Sequence, residues 1–233
     1  MQHDRLKMMH RADRLATLGE LAAGAAHEIR NPLTAISSTI QYLSKDFTHD
    51  SLKSDMIREV LREVERINHI LQGLLSFGRP SELNITNMDL RQLIDQTILL
   101  AGNTLTKKQI EIRPDYRGEN CTMEGDTEQL KQVFLNIILN AAEAMDHNPA
   151  GEPRILEILL DEQVTSFPYS RQILISFRNN GPSIPEKVVD KIFDPFFTTK
   201  ENGTGLGLAI SYGIIRRHGG EIAIKSKPEH VSF

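Results

Sequence analysis

The segment HEIRNP, at residues 27–32, combines a potential nucleophile with a potential base. His27 lies about 200° around a helix from Ala25, at roughly 100° per residue, so it should point away from the apolar stripe. Glu28 is adjacent, and Asn31 shares the histidine's face. A carboxylate beside a histidine can accept the imidazole proton, which frees the other ring nitrogen to attack phosphorus. An ordinary exposed histidine beside a tolerated helix proline accounts for the hexapeptide equally well.

Two carboxamides interrupt an otherwise apolar helical segment, FLNIILNAAEAM. Asn136 and Asn140 are four residues apart, so they share one helix face and need polar partners if they are buried. A carboxamide oxygen is a suitable ligand for Mg²⁺, which keeps several waters and bridges phosphates. The alternative is a pair of capping or surface amides.

Two glycine-containing segments follow. In RNNGPSIP, Gly181 would let the backbone approach a flat base or ribose closely. In FDPFFTTKENGTGLGLAISYG, a glycine run at Gly203, Gly205 and Gly207 precedes a helix whose first N–H groups can cradle phosphates. Taken alone, the first segment is a turn and the second a common glycine run.

The elements that must position these residues fall into two parts. Apolar residues from Leu15 to Leu43 recur by threes and fours, which predicts one long helix at about 5–45, and a second stripe runs from Ile57 to Leu74. Together they predict an antiparallel hairpin. Because a heptad-like seam usually finds partners, we expect two hairpins to pair into a homodimeric four-helix bundle.

The pattern changes after the polar segment SELNITNM. Helices are predicted at LRQLIDQTILLAG, TEQLKQVFLNIILNAAEAM and LGLAISYGIIRRH, and strands at QIEIR, ILEILL, QILISF and EIAIKS, which indicates an α/β sandwich. The fold class is therefore α+β. The predicted organisation is a helical, dimerising part at 1–80, a linker at 81–88 and an α/β part at 89–233.

Composition limits the function classes. A net charge of -4 and a pI near 6.1 disfavour nucleic acid as a partner. The single cysteine, Cys121, excludes an internal disulfide, and no apolar run approaches the roughly 18 residues of a membrane span. We expect a cytoplasmic domain, which would reach a membrane only through a sensor region outside this sequence.

The order of the segments is more specific than any one of them. His–Glu followed by a proline, paired asparagines, NNG, FDPFF and GTGLGL together resemble the H, N, G1, F and G2 boxes of sensor histidine kinases. HEIRNPLTAI and the helix ending in SFGRP are most similar to the sporulation-kinase and nitrogen-regulator kinase branch. The resemblance covers nearly the whole chain. It implies a HisKA hairpin followed by a Bergerat-type ATP-binding domain, with ATP and Mg²⁺ as cofactors.

On this resemblance, His27 matches the phosphoacceptor and Glu28 the acidic general base. Asn31 matches a position that aligns water for dephosphorylating the partner protein, which implies a second, phosphatase activity. Asn140 matches the magnesium ligand, and Asn136 a residue that contacts the phosphates or the metal shell.

Further ATP-binding positions follow from the resemblance. Phenylalanines of the FDPFF segment would anchor a lid over ATP, and the residues after them would line the phosphate end. The full set beyond the two asparagines is Glu143, Asn179, Gly181, Ser183, Ile184, Phe193, Phe197, Thr198, Thr199, Lys200, Gly203, Thr204, Gly205, Leu206, Gly207 and Leu208.

The sequence departs from the family pattern in three places. Asn179 stands where the family has an aspartate that accepts a hydrogen bond from the adenine amino group, and Ser183 replaces a later glycine. A neutral acceptor is weaker than a charged one, so we expect ATP binding to lose about 1–2 kcal/mol. The chain also ends at HVSF, short of the family's usual last strand, and begins within a helix, so both ends are expected to be truncation points.

The resemblance implies autophosphorylation on His27 and transfer to an aspartate of a response-regulator receiver domain. The branch also admits small protein inhibitors that bind the helical bundle. Two alternatives stay open. ATPases of the gyrase, chaperone and mismatch-repair group share the asparagine and glycine boxes, although they place a catalytic glutamate where this chain has Asn136. A degenerate kinase acting as a dimeric scaffold is supported by Asn179.

Overall fold

The computed structural model describes residues 29, 32–42, 53, 55–61, 63–64, 67, 83–118, 121–166, 169–200, 203–227 and 230–233. The predictions for His27, Glu28 and Asn31 lie outside the described residues. The chain divides into two compact units. Met1–Glu82 with Asp194–Leu206 forms the first, and Leu83–Phe193 with Gly207–Phe233 forms the second. The predicted domain boundaries stay predictions.

The described part of the first unit contains helix from both predicted apolar stripes. Residues 32–42 are helical, as are the described residues between 53 and 67. Leu33 from the first stripe and Val64 from the second are buried together, and Ile67 packs against them. The apolar periodicity therefore predicted the residues that meet in this small core.

The second unit contains both helices and strands. Its elements are β1 (Ile85–Asp89), α1 (Leu90–Lys107), β2 (Ile110–Tyr116), β3 (Thr122–Asp126), α2 (Thr127–Ala144), β4 (Arg154–Ser166), β5 (Tyr169–Asn179), α3 (Glu186–Val189), α4 (Gly207–Arg217), β6 (Lys225–Lys227) and β7 (His230–Ser232). A short 3₁₀ turn, Met145–His147, follows α2.

These strands form one large sheet and one small sheet. The large sheet has the order β2-β4-β5-β7-β6, and β1 pairs with β3 in a separate two-stranded sheet. β2 and β4 run parallel, whereas the other neighbouring strands are antiparallel. In β4, Leu156, Ile158 and Leu160 are fully buried because alternate residues point to the same face.

Helix α2 lies at the centre of the unit. It contacts α1, α4 and β5, and the rings of Phe134 on α2 and Phe177 on β5 are 5.5 Å apart. Its buried residues recur at helical spacing and cover one face: Leu130, Val133, Phe134, Ile137, Ile138, Ala141 and Ala142.

Several strands differ from the sequence prediction. β1 begins inside the segment predicted as a linker, and its exposed residues form a strand because they pair with β3, also unpredicted. In the segment EIAIKS only Lys225 and Ser226 belong to a strand, β6, since the ladder partner β7 is three residues long. β7 itself was not predicted. It pairs with β5 and β6.

Asp126 caps α2 and joins it to neighbouring segments. Its carboxylate accepts hydrogen bonds from the backbone N–H of Gln129, at 3.0 Å, and of Asn84, at 3.1 Å. Its own N–H donates to His218 Nε2 at 2.9 Å. Burial alone would raise the pKa of Asp126, but these backbone hydrogen bonds and His218 hold the pKa below its ordinary value.

Asp126→Ala should lower the free energy of unfolding by about 1–2 kcal/mol, because the cap is lost. Asp126→Asn is the matched control, since it keeps an acceptor for Gln129 and does not titrate.

The pKa of Asp126 is lower in the folded protein than in the unfolded chain, so its ionised carboxylate stabilises the fold above the unfolded pKa of about 3.9. This stabilisation is lost as pH falls through the folded-state pKa. Urea titrations should therefore show the stability gap between wild type and Asp126→Asn shrinking from about pH 6 to about pH 3. A constant gap would contradict this assignment.

Candidate functional site

The two asparagines predicted to bind phosphate and metal lie beside the buried face of α2. Asn136 and Asn140 are both half-buried and one helical turn apart. Asn136 Nδ2 lies 3.3 Å from the carbonyl oxygen of Gly207 and donates to it. The buried hydroxyl of Ser211 donates to the same carbonyl at 2.9 Å. Asn136 therefore ties α2 to the first turn of α4.

Asn179 is the last residue of β5, and 2% of its surface is exposed. It lies on the same face of β5 as Phe177, which is also buried, because the two residues are two positions apart. Within the part of the chain that the structure describes, its side-chain Nδ2 is buried and has no hydrogen-bond partner. A buried amide without a partner costs about 1–3 kcal/mol, so a ligand that satisfies it gains that free energy.

Gly181 brings the loop after β5 against the end of α2. A Cβ atom built on Gly181 would lie 2.8 Å from Asn179 Nδ2 and 3.2 Å from the carbonyl carbon of Ala144. The first distance is too short for a methyl group unless the Asn179 amide moves, and the second is a tight contact. Gly181 therefore lets the loop pack directly against the Asn179 amide and the end of α2.

Asn180 has a different role from its neighbour. Its Oδ1 accepts a hydrogen bond from the backbone N–H of Ile155 at 2.9 Å, and its Nδ2 donates to the Pro153 carbonyl at 2.7 Å. Both amide atoms are thus used to attach the loop to the start of β4.

The far side of this loop is attached to β6. The Ser226 hydroxyl accepts a hydrogen bond from the Ile184 N–H at 2.7 Å and lies 3.3 Å from the Ile184 carbonyl. Ser183, beside it, is exposed. The loop is therefore held at Asn180 and Ile184, on either side of Gly181.

The segment at 194–206, the predicted lid, contains its own tight contacts. Phe196 and Gly205 both have positive φ, at 65° and 67°, and a Cβ on Gly205 would lie 2.4 Å from the Phe196 carbonyl carbon. A Cβ on Gly203 would lie 2.3 Å from the Thr198 hydroxyl, which accepts a hydrogen bond from the Lys200 N–H. Gly205 is required because it has positive φ and meets the backbone of Phe196, whereas Gly203 leaves room for the Thr198 side chain.

The remaining predicted site residues are placed as follows. Phe193 packs at 5.6 Å, centroid to centroid, on Tyr212 of α4. Thr204 accepts a hydrogen bond through its hydroxyl from the N–H of Leu206, which is buried. The half-buried residues are Phe197 and Leu208, and the exposed ones are Glu143, Thr199 and Lys200.

Sequence reasoning missed the supporting residues Asn180, Ser211 and Ser226. Ser211 follows Gly207 by four residues, a spacing that permits a hydrogen bond within a helix. In the sequence, Asn180 is marked only by its place in the NN pair, which does not indicate its hydrogen-bond partners. No sequence signal marks Ser226, since its partner Ile184 is distant in the chain.

The chain matches two protein families. Residues 125–232 match the family described as histidine kinase-, DNA gyrase B- and HSP90-like ATPase. Residues 17–83 match the His kinase A (phospho-acceptor) domain.

Among solved structures, the catalytic domain of histidine kinase ThkA is 34% identical to this chain. The TM-score is 0.55, and the match covers 64% of this chain and 94% of that domain. This chain belongs to the sensor histidine kinase family. The two family matches confirm the predicted fold class, which is a helical part followed by an α/β ATPase domain.

Two curated relatives belong to the same family. Signal transduction histidine-protein kinase AtoS of Escherichia coli strain K12 is 40% identical over 95% of this chain, and sporulation kinase A of Bacillus subtilis strain 168 is 37% identical over 96%. The chain spans 35% of the length of each. In the described part of this histidine kinase chain, no helix is long and apolar enough to cross a membrane.

Gly181→Ala should weaken ATP binding about tenfold, because the added methyl group must displace the Asn179 amide and such overpacking costs about 1–3 kcal/mol. Gly213→Ala in α4 is the matched control, since a Cβ there meets nothing within 4 Å. Calorimetric titration with ATP measures the dissociation constants, and thermal melting measures stability. A Gly181→Ala protein with lowered stability and wild-type ATP affinity would show that the glycine serves packing alone.

Proposed function

We propose that this chain is the catalytic core of a two-component sensor histidine kinase. It transfers the γ-phosphoryl group of ATP to His27, and then to an aspartate of a response-regulator receiver domain. The observation that carries the proposal is the buried amide of Asn179, which is unpartnered at Nδ2 and lies directly beside Gly181. It lies in the ATPase-family part of a chain whose other part matches a phosphoacceptor family.

The nucleotide is proposed to bind in the second unit with its base at Asn179. Gly181 allows the close approach of the base, while Asn180 and Ser226 hold the loop that carries it. Asn136 and Asn140 are assigned to the phosphate end, with Asn140 as a ligand of Mg²⁺. When bound, Mg²⁺ would neutralise charge on the phosphate oxygens.

The helix start at Gly207 suits the phosphates, because the first N–H groups of a helix lack partners within the helix. Asn136 and Ser211 both bond the Gly207 carbonyl, which fixes the orientation of this first turn. The segment at 194–206 is assigned as the lid. Gly205 allows its close backbone contact with Phe196, and Gly203 allows the close approach of the Thr198 side chain.

At His27, a ring nitrogen attacks the γ-phosphorus of ATP. An N–P bond forms as the bond from phosphorus to the β–γ bridging oxygen breaks, ADP leaves, and Glu28 accepts the imidazole proton. The phosphohistidine then donates the phosphoryl group to a receiver aspartate. Asn31 is assigned a role in orienting the water that hydrolyses the phosphoaspartate of the partner, which is a second, phosphatase activity.

The partner assignments belong to the same proposal. The solved structure of ThkA in complex with the response regulator TrrA is 31% identical, with a TM-score of 0.67, and covers 99% of this chain and 64% of that one. It supports a receiver domain as the partner here. A homodimer is expected from the paired helical stripes, since each hairpin alone leaves apolar surface. We also propose that a small protein inhibitor binds the helical bundle. A sensor region outside this sequence is proposed to anchor the protein to a membrane.

Incubation with Mg²⁺ and γ-labelled ATP should give acid-labile, base-stable label on the wild type. His27→Gln should remove this label because the attacking nitrogen is absent, and Asn140→Asp should reduce it by altering the metal ligand. His147→Gln, at an exposed histidine, is the matched control and should keep full label.

Label that persists in His27→Gln would place the phosphoacceptor elsewhere. Absence of label despite measurable ATP binding would favour the scaffold alternative. Release of inorganic phosphate without any labelled protein would favour an ATPase of the gyrase and chaperone type.

A further inference from the structure

Asn179 is enclosed by apolar groups. On the sheet it pairs with Leu156 of β4 and Val231 of β7, both buried. Beside it lie Gly181 and, past that glycine, Ala144 at the end of α2. In such surroundings the hydrogen bonds of the amide largely decide which polar group of a ligand is accepted.

Nδ2 of Asn179 makes no hydrogen bond to the described protein residues that would hold it in one orientation. The neighbouring Asn180 amide, in contrast, is locked because its oxygen accepts from Ile155 and its nitrogen donates to Pro153. Rotation of an amide by 180° exchanges its donor with its acceptor. Asn179 can therefore present either group to a ligand.

Adenine and guanine differ by the same exchange of a hydrogen-bond donor with an acceptor. Adenine offers an amino donor at position 6 and an acceptor at N1, whereas guanine offers an acceptor at position 6 and a donor at N1. One orientation of an amide matches adenine, and the rotated amide matches guanine. A carboxylate at this position accepts hydrogen bonds but cannot donate one, so it would reject the guanine oxygen.

We propose that Asn179 makes this nucleotide site permissive for both purines, so that the chain binds GTP with an affinity close to that for ATP. The inference rests on the proposed nucleotide site and assigns its base specificity to one side chain. Asn179→Asp has the same shape without the donor, so it should restore preference for ATP.

Calorimetric titration of the purified chain with the magnesium complexes of ATP and GTP tests this inference. We expect the wild-type dissociation constants to agree within about tenfold, and Asn179→Asp to bind GTP at least about tenfold more weakly relative to ATP. A wild-type preference for ATP above tenfold, or an unchanged ratio in Asn179→Asp, would overturn the inference. Binding of neither nucleotide would overturn both this inference and the proposed function.

A second measurement on the wild type is independent of whether Asn179→Asp folds. Inosine triphosphate has the position 6 oxygen and the N1 donor of guanine but no amino group at position 2. It should bind within about tenfold of ATP, and purine riboside triphosphate, which has no group at position 6, should bind more weakly than both. Weak binding of inosine triphosphate would overturn the inference, whereas His27 labelling by ATP would remain unaffected.

Discussion

The burial of one face of α2 is the constraint on which the candidate site depends. Seven apolar side chains of this helix pack into the core, with Phe134 against Phe177 of the sheet. Because the buried face fixes the rotation of the helix, Asn136 and Asn140 must lie along its edge. The same packing places Ala144, at the helix end, against Gly181. The sheet, the glycine loop and the amides are thus positioned by one helix.

The adjacent residues Asn179 and Asn180 have different surroundings because the strand ends between them. Asn179 and Phe177 share the buried face of β5, while Asn180 leaves the strand and bonds the backbone at the start of β4. Both amide atoms of Asn180 are hydrogen-bonded and hold the loop, whereas Nδ2 of Asn179 is buried and makes no hydrogen bond to the described residues. A buried donor without a partner is costly in a folded protein, which is why it points to binding.

The supporting contacts come from distant parts of the chain. Asn136 and Ser211 meet at the Gly207 carbonyl, and Ile184 is held by Ser226. Asp126 connects the cap of α2 with Asn84 and His218. These contacts join α2, α4, β6 and the loop after β5. The site is consequently positioned by the fold as a whole, with no single loop responsible for it.

The sequence by itself determined the apolar stripes, the long helices α1, α2 and α4, and strands β2, β4 and β5, because burial imposes regular spacing on each. It also placed Asn136 and Asn140 on one helix face and indicated the family through the order of its motifs. Only the tertiary structure decided that β1, β3 and β7 are strands, since their few residues are ordered by pairing. It likewise decided which asparagine of NNG is locked and which is unpartnered at Nδ2, because identical side chains differ only in the backbone that surrounds them.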